Sequence, residues 1–118
     1  MSDIPIPSFS TIVVNPNERI KVTIKETVWC ITSASLVIND KIPNEGRVVL
    51  YISMIDEDGK EGEKIAIAPL TIGKCEVVNL DYTINSFAPV IFSTEGCNVS
   101  ISINGYTTSA EQLTFEKI

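Results

Sequence analysis

A chain of 118 residues with 44% apolar side chains is enough for one domain around one hydrophobic core. Its 15 Asp and Glu against 9 Lys and Arg, a net charge of −6, argue against the basic face that a nucleic-acid backbone binder requires. No histidine is present, which removes Ser-His-Asp and Cys-His catalysis, the commonest general base and His-containing zinc sites.

The opening Met1-Ser2-Asp3-Ile4-Pro5 has no basic segment and no apolar run, so no signal peptide is expected. Turn residues then punctuate the chain at Asn15-Pro16-Asn17, Pro43-Asn44-Glu45-Gly46, Asp58-Gly59, Ile72-Gly73, Ala88-Pro89, Glu95-Gly96 and Asn104-Gly105. Between them about eight strands are predicted: 8–14, 18–24, 27–38, 47–55, 63–69, 74–84, 89–94 and 98–106. Arg19 to Ile24 alternates polar and apolar residues, as a half-buried strand does.

The strand at 27–38 is apolar on both sides. Trp29, Ile31 and Val37 fall on one face, and Val28, Cys30, Ala34, Leu36 and Ile38 on the other. Val48 to Ile55 is apolar on both sides as well. A sheet of an antiparallel sandwich normally solvates one face. With no helical segment to act as a second cover, another subunit is expected there, and Trp29, Ile31, Val49 and Tyr51 are the expected interface residues.

Asp56-Glu57-Asp58-Gly59-Lys60-Glu61-Gly62-Glu63-Lys64 is the most charged segment. It fits a solvated hairpin turn with Asp58-Gly59 at its tip. The spacing of a calcium-binding EF-hand loop is not met. Further along, Cys75 and Val77 share one face while Val78, Leu80, Tyr82 and Ile84 share the other, so a β-bulge is expected between Val77 and Val78. Asn98 to Ile103 alternates again, with Val99, Ile101 and Ile103 inward. Residues 107–118 lose the pattern and read as a C-terminal tail or the start of a linker. Cys30, Cys75 and Cys97 form no C-x-x-C pair, and free packed thiols in a reducing compartment are expected. No catalytic residue, metal or cofactor is expected, nor a membrane span. The pattern predicts an all-β sandwich or jelly roll.

The order of these segments resembles a known family. Thr27-Val28-Trp29-Cys30-Ile31-Thr32-Ser33-Ala34-Ser35-Leu36 resembles a strand of the nucleoplasmin-like N-terminal domain of nuclear FKBP-type prolyl isomerases. Val48 to Met54 before an acidic turn is similar too, as are Ile65-Ala66-Ile67-Ala68-Pro69-Leu70 before Gly73 and Val77-Val78-Asn79-Leu80-Asp81-Tyr82. The closing segments Val90-Ile91-Phe92-Ser93, Gly96-Cys97-Asn98-Val99 and Asn104-Gly105-Tyr106 complete the series. The opening is similar to that of fungal nucleolar members.

The resemblance implies an eight-stranded jelly-roll β-sandwich over residues 1–106, closed into a homo-oligomer, most simply a pentamer. It implies a nuclear or nucleolar histone chaperone without isomerase activity of its own. Core histones would then bind Asp56, Glu57, Asp58, Glu61 and Glu63, with no direct contact to nucleic acid. Two departures stand out: these residues contain no long acidic tract, and the aromatic-glycine opening of several animal and plant members is absent. An oligomerisation scaffold of a longer prolyl isomerase, with no histone role, is the alternative. A carbohydrate-binding jelly roll is a further class, against which stands the lack of clustered aromatic residues.

Overall fold

Among the described residues nine antiparallel strands follow one another: β1 (Ser8–Val14), β2 (Arg19–Ile24), β3 (Val28–Leu36), β4 (Arg47–Met54), β5 (Ile65–Thr71), β6 (Val77–Asn85), β7 (Val90–Gly96), β8 (Ile101–Thr107) and β9 (Leu113–Lys117). The structure, a computed structural model, describes residues 8–25, 27–38, 43, 45–85, 89–107 and 113–118. The Met1–Pro5 opening, Asn44 of the Pro43–Gly46 turn and Ala88 of the Ala88-Pro89 turn lie outside the described residues. No helix among the described residues is long and apolar enough to cross a membrane.

The strands form a four-stranded sheet in the order β1-β8-β3-β6 and a five-stranded sheet in the order β5-β4-β7-β2-β9. The first eight strands cross from one sheet to the other at every step but one, the β4–β5 hairpin, as in a jelly roll. Period-2 burial produces the layers: β2 and β8 alternate between buried and more exposed residues. Trp29, Phe92, Leu50, Ile101 and Ile103 lie fully buried between the sheets. Each such side chain contributes roughly 1.5–3 kcal/mol by leaving water. The Trp29 ring meets Phe92 edge-on at 6.2 Å and Phe115 of β9 at 5.8 Å. This clustering offsets an indole N–H that has no hydrogen-bond partner.

Two glycines are required by close approach. A Cβ on Gly105 would lie 2.4 Å from the Cys30 carbonyl oxygen and 2.7 Å from Trp29 Nε1, so the indole packs over a position only glycine can occupy. Gly96 has φ 133° and pairs with Val48, and a Cβ there would sit 2.2 Å from the Arg47 carbonyl oxygen.

Three expectations are corrected. The register of β3 shifts between Ile31 and Ser33 against both β6 and β8. That irregularity flips the alternation, so Ala34 and Leu36 join Trp29 and Ile31 on the buried face. The expected bulge between Val77 and Val78 is therefore found elsewhere. Cys75 bridges Thr71 within the preceding turn, and β6 begins only at Val77, so the slip read there marks the end of a turn. Finally, the strand pattern does not end at residue 106. Leu113–Lys117 pairs with β2, and Lys117 Nζ clasps Glu18 Oε2 at 2.9 Å. The Lys117 hydrogen bond, helped by Asn15, lowers the Glu18 carboxyl below its ordinary value.

Candidate interaction surfaces

The segment after β4 folds back on itself before β5 starts. Asp56 Oδ1 accepts hydrogen bonds from the backbone N–H groups of Asp58 (3.0 Å) and Lys60 (2.8 Å). Gly59, with φ 80°, closes the turn by donating to the Asp56 carbonyl at 3.0 Å. Glu61 pairs with Ile55 across the hairpin, and Gly62 N–H donates to the Met54 carbonyl at 2.8 Å. The loop thereby brings Glu61 to the outer side of the five-stranded sheet. There Glu61 accepts hydrogen bonds from Ser53 Oγ of β4 and the Arg19 guanidinium of β2. The Ser53 hydroxyl, then Arg19, hold its carboxyl below the ordinary range against a small burial cost. Lys64 donates to Glu95 Oε1 at 3.1 Å and lies 5.2 Å from the Tyr51 ring centre. The Lys64 hydrogen bond and charge lower the Glu95 carboxyl in turn.

The five carboxylates singled out in the sequence thus divide. Asp56 shapes the turn, and Glu61 ties the loop to the sheet. Glu57, Asp58 and Glu63 are exposed and enter no ion pair among the described residues. Sequence reasoning missed Arg19, Ser53 and Glu95 as the loop's partners on the sheet. The only available signal was the alternation that turns Arg19 and Ser53 outward on β2 and β4.

The four residues expected at a subunit interface divide as well. Trp29 and Ile31 are 0% and 1% exposed inside this chain's own core, so they have no surface to offer a partner. Val49 and Tyr51 are half-buried on the outer side of β4. A different surface stands out on the four-stranded sheet. Asn104 of β8 donates through Nδ2 to Ser33 Oγ (3.2 Å) and Ser35 Oγ (3.3 Å) of β3. Its Oδ1 accepts from Ser102 Oγ (2.8 Å) and from Thr11 Oγ1 of β1 (3.4 Å). Thr32, Asn79, Thr83, Cys30, Tyr106 and Val13 extend this outer face. Asp81 alone carries a charge on it among the described residues.

An apolar groove of about 530 Å³ opens between the edges of the two sheets. Ile52, Met54, Ile65, Ile67, Ile84 and Val90 line it, with Tyr82 and Glu63 at its margin. Met54 and Ile65 are about 60% exposed there: 58% and 60%. Among the described residues no group of three or more Cys, Asp or Glu is placed to hold a metal ion. All three cysteines are unpaired thiols.

The sequence pattern of the nucleoplasmin-like domain matches residues 9–108. No curated protein matches the chain. Among solved structures, the fold is similar to the Drosophila NLP core, whose crystal structure bears on pentamer formation and histone binding. That likeness has a TM-score of 0.65 at 18% identity and covers 85% of this chain and 98% of the other. The nucleoplasmin-like N-terminal domain of Drosophila FKBP39 is similar with a TM-score of 0.63 at 18% identity, covering 89% and 92%. With the family pattern matched from β1 through β8, this chain belongs to the nucleoplasmin-like domain family.

Proposed function

We propose that this chain is the assembling domain of a nuclear, FKBP-linked histone chaperone: it closes into a pentamer and presents one acidic loop per subunit to core histones. The observation that carries the assembly is the outer face of β1, β8, β3 and β6. Its hydroxyls and Asn104 amide hydrogen-bond to one another. Such a face loses little on leaving water, because its polar groups keep their partners. A ring needs two different patches on each subunit. Val49 and Tyr51 stay in the proposal as part of the second patch.

Histone contact is assigned to Glu57, Asp58 and Glu63, with Asp56 and Glu61 holding them in place. Each exposed ion pair is worth only ~0–1 kcal/mol. Repetition around a ring converts such weak contacts into useful avidity. Support for this reading comes from family membership and from the Drosophila NLP core. The small number of outward carboxylates favours the second reading, a scaffold with no histone role.

The test is titration of core histones onto the parent and onto Glu57→Gln/Asp58→Asn/Glu63→Gln at low and moderate salt, with native mass measured for both. The chaperone reading expects tight binding only for the parent, falling as salt shortens the Debye length below ~10 Å. Equal binding by the variant reduces the loop to a solvated turn. A parent that does not bind leaves the scaffold.

A further inference from the structure

We propose that the groove between β5 and β6 anchors an apolar side chain of an extended basic segment. This deepens the basic-partner reading above and rests on it. Three observations converge on one occupant. First, the floor is apolar: Ile67 and Val90 are buried, and Ile65 is left 60% exposed at the lip. A volume of about 530 Å³ accommodates one or two aliphatic side chains. Second, β5 and β6 are each the last strand of their sheet on this side. Their outer N–H and C=O groups face no further strand among the described residues, so an extended backbone finds hydrogen-bond partners on either lip. Third, the charge is one-sided. Glu63 is the charged residue among those lining the groove. The loop carrying Glu57 and Asp58 joins Met54 to Ile65, both groove residues, and Lys64 is turned away to Glu95 on the outer sheet face.

An extended chain shows alternate side chains to opposite sides. Every second residue can therefore enter the groove while its neighbours reach the acidic rim. Lys or Arg at those neighbouring positions matches Glu63. A chain with acids there is repelled, and a chain without an apolar residue leaves the floor wet. The anchor supplies what loop ion pairs lack, an interaction that survives salt.

The test uses short synthetic peptides in which Lys alternates with Leu, Lys with Ser, or Glu with Leu, titrated onto the whole 118-residue chain. The Lys–Leu peptide is expected to bind roughly tenfold or more tightly than Lys–Ser, the value of one buried aliphatic side chain. Glu–Leu is expected not to bind. Ile65→Asp, at an exposed position, should bring Lys–Leu down to the Lys–Ser level. Glu63→Gln should weaken Lys–Leu severalfold and flatten its salt dependence. Equal binding of Lys–Leu and Lys–Ser overturns the anchor and leaves the acidic-loop reading intact. Binding of neither peptide overturns both. If Ile65→Asp lowers the native mass, the groove is a contact between copies of this chain and the anchor is overturned.

Discussion

On the outer side of β1, β8, β3 and β6, hydroxyl and amide side chains satisfy one another around Asn104. On the outer side of β4, β7, β2 and β9, charges do the equivalent work. Arg19 meets Glu61, Lys64 meets Glu95, and Lys21 stands opposite Glu116. Both faces are polar, yet they differ in what burial costs. A neutral web can be covered at little loss, whereas a face of ion pairs must be stripped of water at several kcal/mol per ion. Polarity alone therefore does not tell a solvated face from a sticky one. Whether the polar groups are charged, and whether they are already paired, decides it.

The largest expected effect breaks this contrast outright. Thr32→Lys with Ser35→Lys places two charges on the neutral web. An uncompensated charge buried at a contact costs about 3–5 kcal/mol. Native mass should fall to that of a monomer with the fold intact by circular dichroism. The matched change Thr23→Lys with Thr114→Lys, on the β2–β9 part of the charged face away from Val49 and Tyr51 of β4, should leave the mass alone. An assembly indifferent to the first pair places the subunit contact elsewhere.

Trp29→Ala tests what lies between the faces. As a core residue it should cost about 3–5 kcal/mol of subunit stability, read from urea unfolding. If the mass falls while subunit stability holds, Trp29 belongs to an interface after all. Asn104→Ala sharpens the contrast further. Its hydroxyl neighbours regain water in a free subunit but not in a covered one, so assembly should weaken by roughly 1–3 kcal/mol while folding changes less. The smallest effect concerns the charged face. The Glu61 carboxyl is lowered below 4.5 in the fold, by Ser53 first and Arg19 second. Its contribution is therefore present above the unfolded value and is lost as pH falls through the lowered folded value. Unfolding free energies of the parent and Glu61→Gln, read from urea titrations, should differ by ~0–1 kcal/mol at neutral pH and converge in acid. A difference that persists in acid points to a role other than charge.

The strand series was legible because Gly, Pro and Asn mark nearly every turn, and alternation marks β2 and β8. The faces of β3 were not. A single shifted residue between Ile31 and Ser33 inverts the alternation beyond it, and nothing in Thr32 or Ser33 announces this. The two-sided apolar character of 27–38 was thus in part a consequence of counting through a bulge. β9 escaped notice because Leu113-Thr114-Phe115-Glu116-Lys117 is short, and its apolar residues gain meaning only beside Trp29 and Val22. The acidic loop was visible as composition. Its division into structural and outward carboxylates was not, since Arg19 lies 42 residues from Glu61 along the chain.

The pairing of β1 with β8 joins Ser8 to Thr107 and runs to Val14 beside Ile101. β8 also lies between β1 and β3, so the four-stranded sheet has a hole at its centre until the eighth strand arrives. During synthesis, β1 and β3 leave the ribosome with no mutual contact to make. Almost the whole chain must be present before either can be closed in. Closing so long a loop before the β1–β8 ladder forms is slow, and topologies of this kind fold in milliseconds to seconds. Throughout that interval β3 lacks its β8 neighbour, and the core lacks Ile101 and Ile103. Unpaired strand edges and open apolar surface of that kind are what make an incomplete subunit prone to aggregate.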